Sequence, residues 1–252
     1  MPILAFHDNA PGIFTGLNNY SPKRFLQLMQ FIVDMEYKIV NLFDYVEASD
    51  RKDLIALTFD DGYESFYRNI FPILLERDIA ATVFIPSNFI GKSNSWDYSG
   101  RIFPTNHLTK YQLEELANNK ITIGSHGLFH QCLTSLGERL LNLELIKSKE
   151  IIQDIIGKRI SFISYPFGRF NAYVESVAIK AGYRHGFSLI QLTRGKSAFT
   201  LPRHAIYAFD TEYSVFQKIK SGPLKRLERF KSVIMNNYAS GTIALNRFRK
   251  FN

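Results

Sequence analysis

The sequence predicts an α/β fold in which parallel strands are joined by helical crossovers. Two observations carry this. Short runs rich in Ile, Val, Phe and Thr recur along the chain, and stretches of helical period with recognisable caps separate them. That alternation admits an open doubly wound sheet or a closed barrel. The early strands are not followed by Gly-x-Gly-x-x-Gly, which weakens a dinucleotide-binding sheet.

Taken in order, the strand candidates are residues 3–6, 37–40, 54–59, 81–85, 121–124, 161–164, 184–188 and 200–206. Ser21-Pro22 reads as an N-cap followed by proline in the first turn, opening a helix to about Met35. Thr109 with Gln112 forms a capping-box pattern ahead of Leu113, Leu116 and Ala117. A long helix is expected over 136–156, stopped by Gly157. Asn171 is placed to cap a helix ending near Gly182, and Asp210 to cap one running to about Lys220.

The chain has 252 residues, enough for one large domain with a substantial core. Hydrophobic residues make up 46% and charged residues 21%, values that exclude a disordered or fibrous chain. The single cysteine, Cys132, excludes an internal disulfide framework and a Cys-rich zinc module, and reads as a buried apolar thiol. The sequence has no stretch of the ~18 apolar residues that a membrane span requires. The first residues, Met1 to His7, lack the basic and apolar regions of a signal peptide. The expected location is therefore cytoplasmic or peripheral to a membrane, or the cell envelope if a leader has been removed.

The net charge is +8, and its distribution is uneven. Gly222-Pro223 is the one composition break, so the expected organisation is a single catalytic domain, 1–222, and a basic C-terminal tail, 223–252. The tail carries Lys225, Arg226, Arg229, Lys231, Arg247, Arg249 and Lys250 against Glu228 alone. Leu224, Leu227, Phe230 and Ile234 would form an apolar stripe on a helix, flanked by those cations. This pattern points to a peripheral membrane or anionic-substrate contact, with packing of the stripe against the barrel as the competing reading. Nucleic acid is not expected as a partner, because the tail shows no recognition motif and the body is nearly neutral.

Three strand ends carry the chemistry. Leu57-Thr58-Phe59-Asp60-Asp61-Gly62 ends an apolar strand in adjacent carboxylates, which repel unless a cation or a division of roles relieves them. Ser125-His126-Gly127-Leu128-Phe129-His130 ends another in two histidines. If residues 126–130 turn helically, both imidazoles share one face and can share a metal. Two imidazoles and one carboxylate leave a coordination position open, as in catalytic rather than structural zinc sites. Ser164-Tyr165-Pro166-Phe167-Gly168 ends a third strand in a turn whose backbone N–H groups can face a reacting oxygen.

These three runs, with their spacing, resemble the polysaccharide deacetylase family, carbohydrate esterase family four. The resemblance covers roughly residues 3 to 221. It implies a distorted (β/α) barrel with its site at the C-terminal ends of the strands, and hydrolysis of N-acetyl groups on a sugar or polysaccharide. Within that pattern Asp60 corresponds to the catalytic base, and Asp61, His126 and His130 correspond to the ligands of one divalent ion, zinc by preference. The implied nucleophile is a water activated by the ion, with the Phe167 N–H assisting the oxyanion.

The family's third motif usually has an arginine where Ser164 stands, and Arg203 is the candidate to replace it. Its late Leu-x-His motif is absent. Members acting on poly-N-acetylglucosamine have an early histidine that His7 resembles, which makes His7 the expected general acid. His204 is the rival, but it neighbours Arg203 in a strand, and alternation lets only one of the two enter the site. Tyr165, Pro166, Phe167, Gly168 and Trp96 are the candidate substrate contacts, Trp96 through its large apolar face. His107 and His185 lie outside any motif and read as structural or surface groups. The implied partner is an N-acetylated glycan or sugar precursor. An O-acetyl esterase and a non-catalytic carbohydrate-binding protein are the competing readings.

Overall fold

The computed structural model describes residues 2–10, 18–95, 105–189 and 197–220. Among these residues are eight strands, each within two residues of its expected bounds: β1 Ile3–Phe6, β2 Lys38–Ile39, β3 Leu54–Phe59, β4 Ala81–Ile85, β5 Ile121–Ser125, β6 Phe162–Ser164, β7 His185–Leu189 and β8 Leu201–Ala205. They hydrogen-bond in the order β1-β8-β7-β6-β5-β4-β3-β2, and β1 also pairs with β3. All pairings are parallel. β1 and β3 to β8 therefore close a seven-stranded barrel, with β2 attached outside on β3. Closure settles the choice between sheet and barrel that the alternation alone leaves open.

Both faces of β1, β3, β4 and β6 are buried, which is why they read as continuous apolar runs rather than alternating ones. One parity, with Leu4, Phe6, Ile55, Leu57, Phe59, Val83, Ile85, Ile121, Ile123 and Ile163, packs in the large core with the helices. The other parity supplies Ile3, Ala56, Phe84, Phe162 and Phe187, which pack together inside the barrel with Leu201 against them. Gly124 shares that inward parity because a Cβ there would lie 2.5 Å from the Phe84 ring. Above this apolar layer the inward positions become polar: Thr58 and Arg203 are buried in mid-barrel, and Asp60 follows at the end of β3.

The helices are α1 Pro22–Asp34, α2 Leu42–Glu47, α3 Glu64–Asn69, α4 Phe71–Glu76, α5 Lys110–Asn118, α6 Glu138–Asn142, α7 Ser148–Ile156, α8 Ala172–Lys180 and α9 Glu212–Lys220. α1 starts where expected, although the Ser21 side chain makes no capping bond and Pro22 alone marks its start. The capping box of α5 is complete in both directions, and Asn171 caps α8 by accepting the Val174 N–H. At α9 the expectation is corrected. Thr211 Oγ1 accepts the Ser214 N–H at 3.2 Å, while Asp210 is buried, accepts the Tyr207 N–H and pairs with Lys218.

The helix expected over 136–156 is interrupted. α6 and α7 are joined by a π-helical segment, Leu143–Lys147, before Gly157 ends the run in the left-handed region at φ 66°. Among the described residues, no helix is long and apolar enough to cross a membrane. The tail, 223–252, lies outside the described residues.

Candidate active site

Asp60 continues β3 beyond its last assigned residue, its N–H bonding the Phe6 carbonyl at 2.9 Å. Strand alternation would send the next side chain to the opposite face. The chain avoids this by entering the left-handed region at Asp61 (φ 70°) and Gly62 (φ 58°), which brings both carboxylates to one mouth. Asp tolerates this conformation better than most residues. The turn is held by His107, whose Nδ1 lies 2.8 Å from the Asp61 carbonyl and whose ring stacks on Tyr63. His107 is thus buried and tied to the site. Its separation of 46 residues from Asp61 leaves no sequence signal for that contact.

Residues 126–130 do not form the helical turn that would align the two imidazoles. They form a loop with Gly127 at φ 81° and His130 at φ 54°, and this loop brings the ring centroids within 4.8 Å. His126 Nδ1 lies 2.8 Å from the Ser164 carbonyl, an outer-shell bond that turns Nε2 toward Asp61. Nε2 of His126 is 3.4 Å from Asp61 Oδ1, and Nε2 of His130 is 3.2 Å from the same oxygen.

The donor set fits a divalent ion. Ligand atoms of Asp61, His126 and His130 all lie within 4.8 Å of one another. Tetrahedral zinc with ligands at about 2.1 Å sets them roughly 3.4 Å apart, matching the two short separations. Asp61 Oδ1 is buried without a hydrogen-bond partner, as suits an oxygen reserved for a cation.

Asp60 sits beside this cluster, its Oδ2 4.0 Å from His126 Nε2. Arg203, 1% exposed, clamps Asp60 with one guanidinium nitrogen on each oxygen, both at 2.7 Å. The same guanidinium donates to Thr58 Oγ1 at 3.1 Å and Ser164 Oγ at 2.6 Å and lies over the Phe84 ring. Ser164 also donates to Asp60 Oδ2 at 3.2 Å, joining the network from β6. Arg203 stands in the middle of β8 and reaches Asp60 because residues 201, 203 and 205 share the inward parity. His204 has the opposite parity and faces away.

Burial pushes the Asp60 carboxyl up, but Arg203 and then His126 outweigh it and hold it down at about 2. Burial likewise raises Asp61, and the two facing imidazoles bring it well below the usual carboxylate range. His126 is lowered by burial yet raised overall by Asp60 and Asp61. For His130 burial prevails and the imidazole falls below its ordinary value. His107 falls for the same reason.

The other candidates are placed as follows. His7 directly follows β1, is half-buried, and favours the charged forms of both Asp60 and Asp61. Phe167 adopts φ 59° and its ring lies 4.8 Å from that of His130. Pro166 and Gly168 are buried in the same turn. The Tyr165 ring belongs to the core and stacks on Phe170, so any part it takes in the groove is through its backbone. Cys132 is a buried free thiol, and His185 is half-buried against Phe162. Trp96 lies outside the described residues.

A closed parallel barrel with an Asp-His-His cluster and an arginine-clamped carboxylate at one mouth defines a barrel protein built around a candidate metal centre. Residues 47–186, more than half of the chain, match the family model for polysaccharide deacetylase, and the chain belongs to that family. YxkH of Bacillus subtilis, assigned by name to the polysaccharide deacetylases, is 31% identical over 192 residues, covering 74% of this chain. The chain spans 63% of that relative's length. The poly-beta-1,6-N-acetyl-D-glucosamine N-deacetylase of Staphylococcus aureus is 25% identical over 204 residues, covering 74% of this chain and 68% of its own.

Two solved structures share the fold. The Streptococcus pyogenes deacetylase PplD, in complex with acetate, superposes with a TM-score of 0.73 at 22% identity, covering 87% of this chain and 98% of that one. IcaB from Ammonifex degensii gives 0.74 at 19% identity, covering 87% and 96%.

Proposed function

We propose that this protein hydrolyses N-acetyl groups on an N-acetylated polysaccharide, using a divalent ion, zinc by preference, held by Asp61, His126 and His130. The observation that carries the reading is the approach of Asp60 Oδ2 to within 4.0 Å of His126 Nε2, a carboxylate beside a donor set suited to zinc. When bound, the ion supplies Lewis-acid polarisation of the acetyl carbonyl and lowers the pKa of water toward neutrality. Asp60 accepts the proton of the attacking water at Oδ2, the oxygen facing the cluster. The Arg203 clamp keeps that carboxylate ionised at working pH and fixes its direction.

As the water oxygen bonds to the acetyl carbon, negative charge gathers on the carbonyl oxygen, and the Phe167 N–H is the backbone donor for it. The C–N bond then breaks and the amine must gain a proton, which His7 donates from its place after β1. The products are acetate and a free amino sugar. The name of the Staphylococcus relative supports a β-1,6-linked N-acetylglucosamine polymer as first substrate. The basic segment 223–252 fits attachment at an anionic membrane surface, a position that brings the site near lipid-linked or envelope glycans.

The test is acetate release from β-1,6-linked N-acetylglucosamine oligomers, with an O-acetylated sugar in parallel. Chelator and zinc add-back complete it. Release from the amide that chelator abolishes and zinc restores is expected. Release only from the ester makes the protein an O-acetyl esterase, and no release by zinc-loaded protein overturns the proposal.

A further inference from the structure

Glu144 is a carboxylate only 2% exposed, and no step of the chemistry above uses it. It stands in the π-helical segment between α6 and α7. Its Oε2 accepts the Leu128 N–H at 2.7 Å and the Phe129 N–H at 3.0 Å, and its Oε1 accepts the Phe129 N–H at 3.2 Å. These are the two residues that precede His130.

The rest of that loop is fixed from other directions. The Gly127 N–H bonds Ser125 Oγ at 3.2 Å, and the carbonyls of Gly127 and Leu128 accept from Ser87 and Asn88 at 3.1 and 2.9 Å. Gly127 at φ 81° lies in the left-handed region that disfavours a side chain, and a Cβ there would press on Glu144 Oε2 at 2.8 Å. The chain then enters His130 in the left-handed region, which a non-glycine residue keeps only when its surroundings hold it there.

The π-segment is itself held. A π-turn takes one residue more than an α-turn, is rare, and clusters at functional sites. Here the Tyr183 hydroxyl and Ser148 Oγ donate to the Leu145 carbonyl at 2.8 and 3.3 Å. An apolar residue at 144 would leave the buried Leu128 N–H and the partly buried Phe129 N–H without this acceptor, at a cost greater than that of an ordinary surface change. The carboxylate thus serves geometry in a place where burial disfavours it.

We propose that Glu144 is a positioning residue of the metal centre: from the π-segment it locks residues 127–129 in the conformation that presents His130 Nε2 to Asp61, and thereby sets the affinity for the divalent ion. The proposal rests on the metal-centre reading above.

The test uses the full chain as wild type, Glu144→Ala, Glu144→Gln and, as a control for lost packing on the neighbouring helix, Leu141→Ala. Zinc affinity is measured by chelator competition, and hydrogen exchange is followed in the metal-free protein. Glu144→Ala should weaken zinc roughly 10- to 100-fold, the usual effect of removing an outer-shell partner. It should also lose exchange protection at Leu128 and Phe129. Glu144→Gln keeps the shape and one acceptor, so its loss should be smaller, only several-fold. It serves as the test if the alanine variant does not fold, when a several-fold loss with faster exchange at Phe129 is expected.

Zinc affinity within about twofold of wild type in the alanine variant, or in the glutamine variant where it alone folds, overturns the proposal, and so does an equal loss in Leu141→Ala. Wild-type protein that binds no zinc defeats the metal-centre reading as well, a result visible without any variant.

Discussion

Replacing Arg203 with methionine isolates the electrostatic centre of the barrel. The substitution keeps a long apolar stem but removes both 2.7 Å bonds to Asp60, along with those to Thr58 and Ser164. Asp60 is 4% exposed, so its carboxylate is left buried beside groups that only partly compensate it. The depression of Asp60 from 3.8 to about 2 corresponds to about 2 kcal/mol of folding stability at neutral pH. Stranding one member of a buried pair costs about 3–5 kcal/mol. The larger figure applies to the variant, because burial then raises the carboxyl with no guanidinium to oppose it.

The sign in pH follows. In the wild type the Asp60 contribution is fully present above its unfolded value of 3.8 and is lost as pH falls through about 2. In Arg203→Met the folded value moves above the unfolded one, so ionisation becomes a penalty that protonation relieves. The stability gap between the two proteins should therefore be widest near neutrality and narrow as pH is lowered. Urea denaturation of metal-free protein across pH 4 to 8 measures the gap, and Asp60→Asn in the Arg203→Met background should recover part of it. A gap below about 1 kcal/mol at pH 7, or one that widens toward acid, would refute the account of Arg203 as the group that keeps Asp60 charged.

Four further outcomes are expected. Asp60→Asn should keep its metal and lose activity by roughly 10²- to 10⁴-fold; loss of metal instead would exchange the roles of the two aspartates. His126→Ala should lose about one equivalent of zinc by elemental analysis, because it removes one of the three proposed ligands; full retention would remove His126 from the centre. His7→Ala should lower kcat with metal content unchanged, while His204→Ala, on the outward parity of β8, should be near neutral, and the reverse would give His204 the acid role. Protein of residues 1–252 should co-sediment with anionic vesicles at low salt and be released by high salt, and protein ending at residue 222 should stay in solution; equal behaviour of the two would end the membrane reading of 223–252.

Much of this architecture is written locally. β1, β3, β4 and β6 are short apolar runs buried on both faces, so their positions are readable without knowing their neighbours. The capping box at Thr109 and the caps at Asn171 and Gly157 are contacts within a few residues, and sequence therefore reports them. Asp60, Asp61, His126 and His130 are legible because adjacent carboxylates and spaced histidines at two strand ends reinforce each other, and the resemblance of their runs to the polysaccharide deacetylases gives them roles.

Tertiary structure decided what depends on residues distant in the chain. Whether eight parallel strands stay open or close rests on the β1–β3 pairing, which no single strand encodes. The rings of His126 and His130 meet through a loop at positive φ rather than a helical turn, because Glu144 and its neighbours outweigh local preference there. The contact of His107 with the Asp61 carbonyl spans 46 residues, and the clamp of Arg203 on Asp60 spans 143. Sequence named Arg203 as a candidate, but only the parity of β8 in a closed barrel aims it at Asp60 and turns His204 away. Local periodicity fixes which residues form strands and helices. Closure fixes which side chains share the interior, and there low dielectric makes a charge pair decisive.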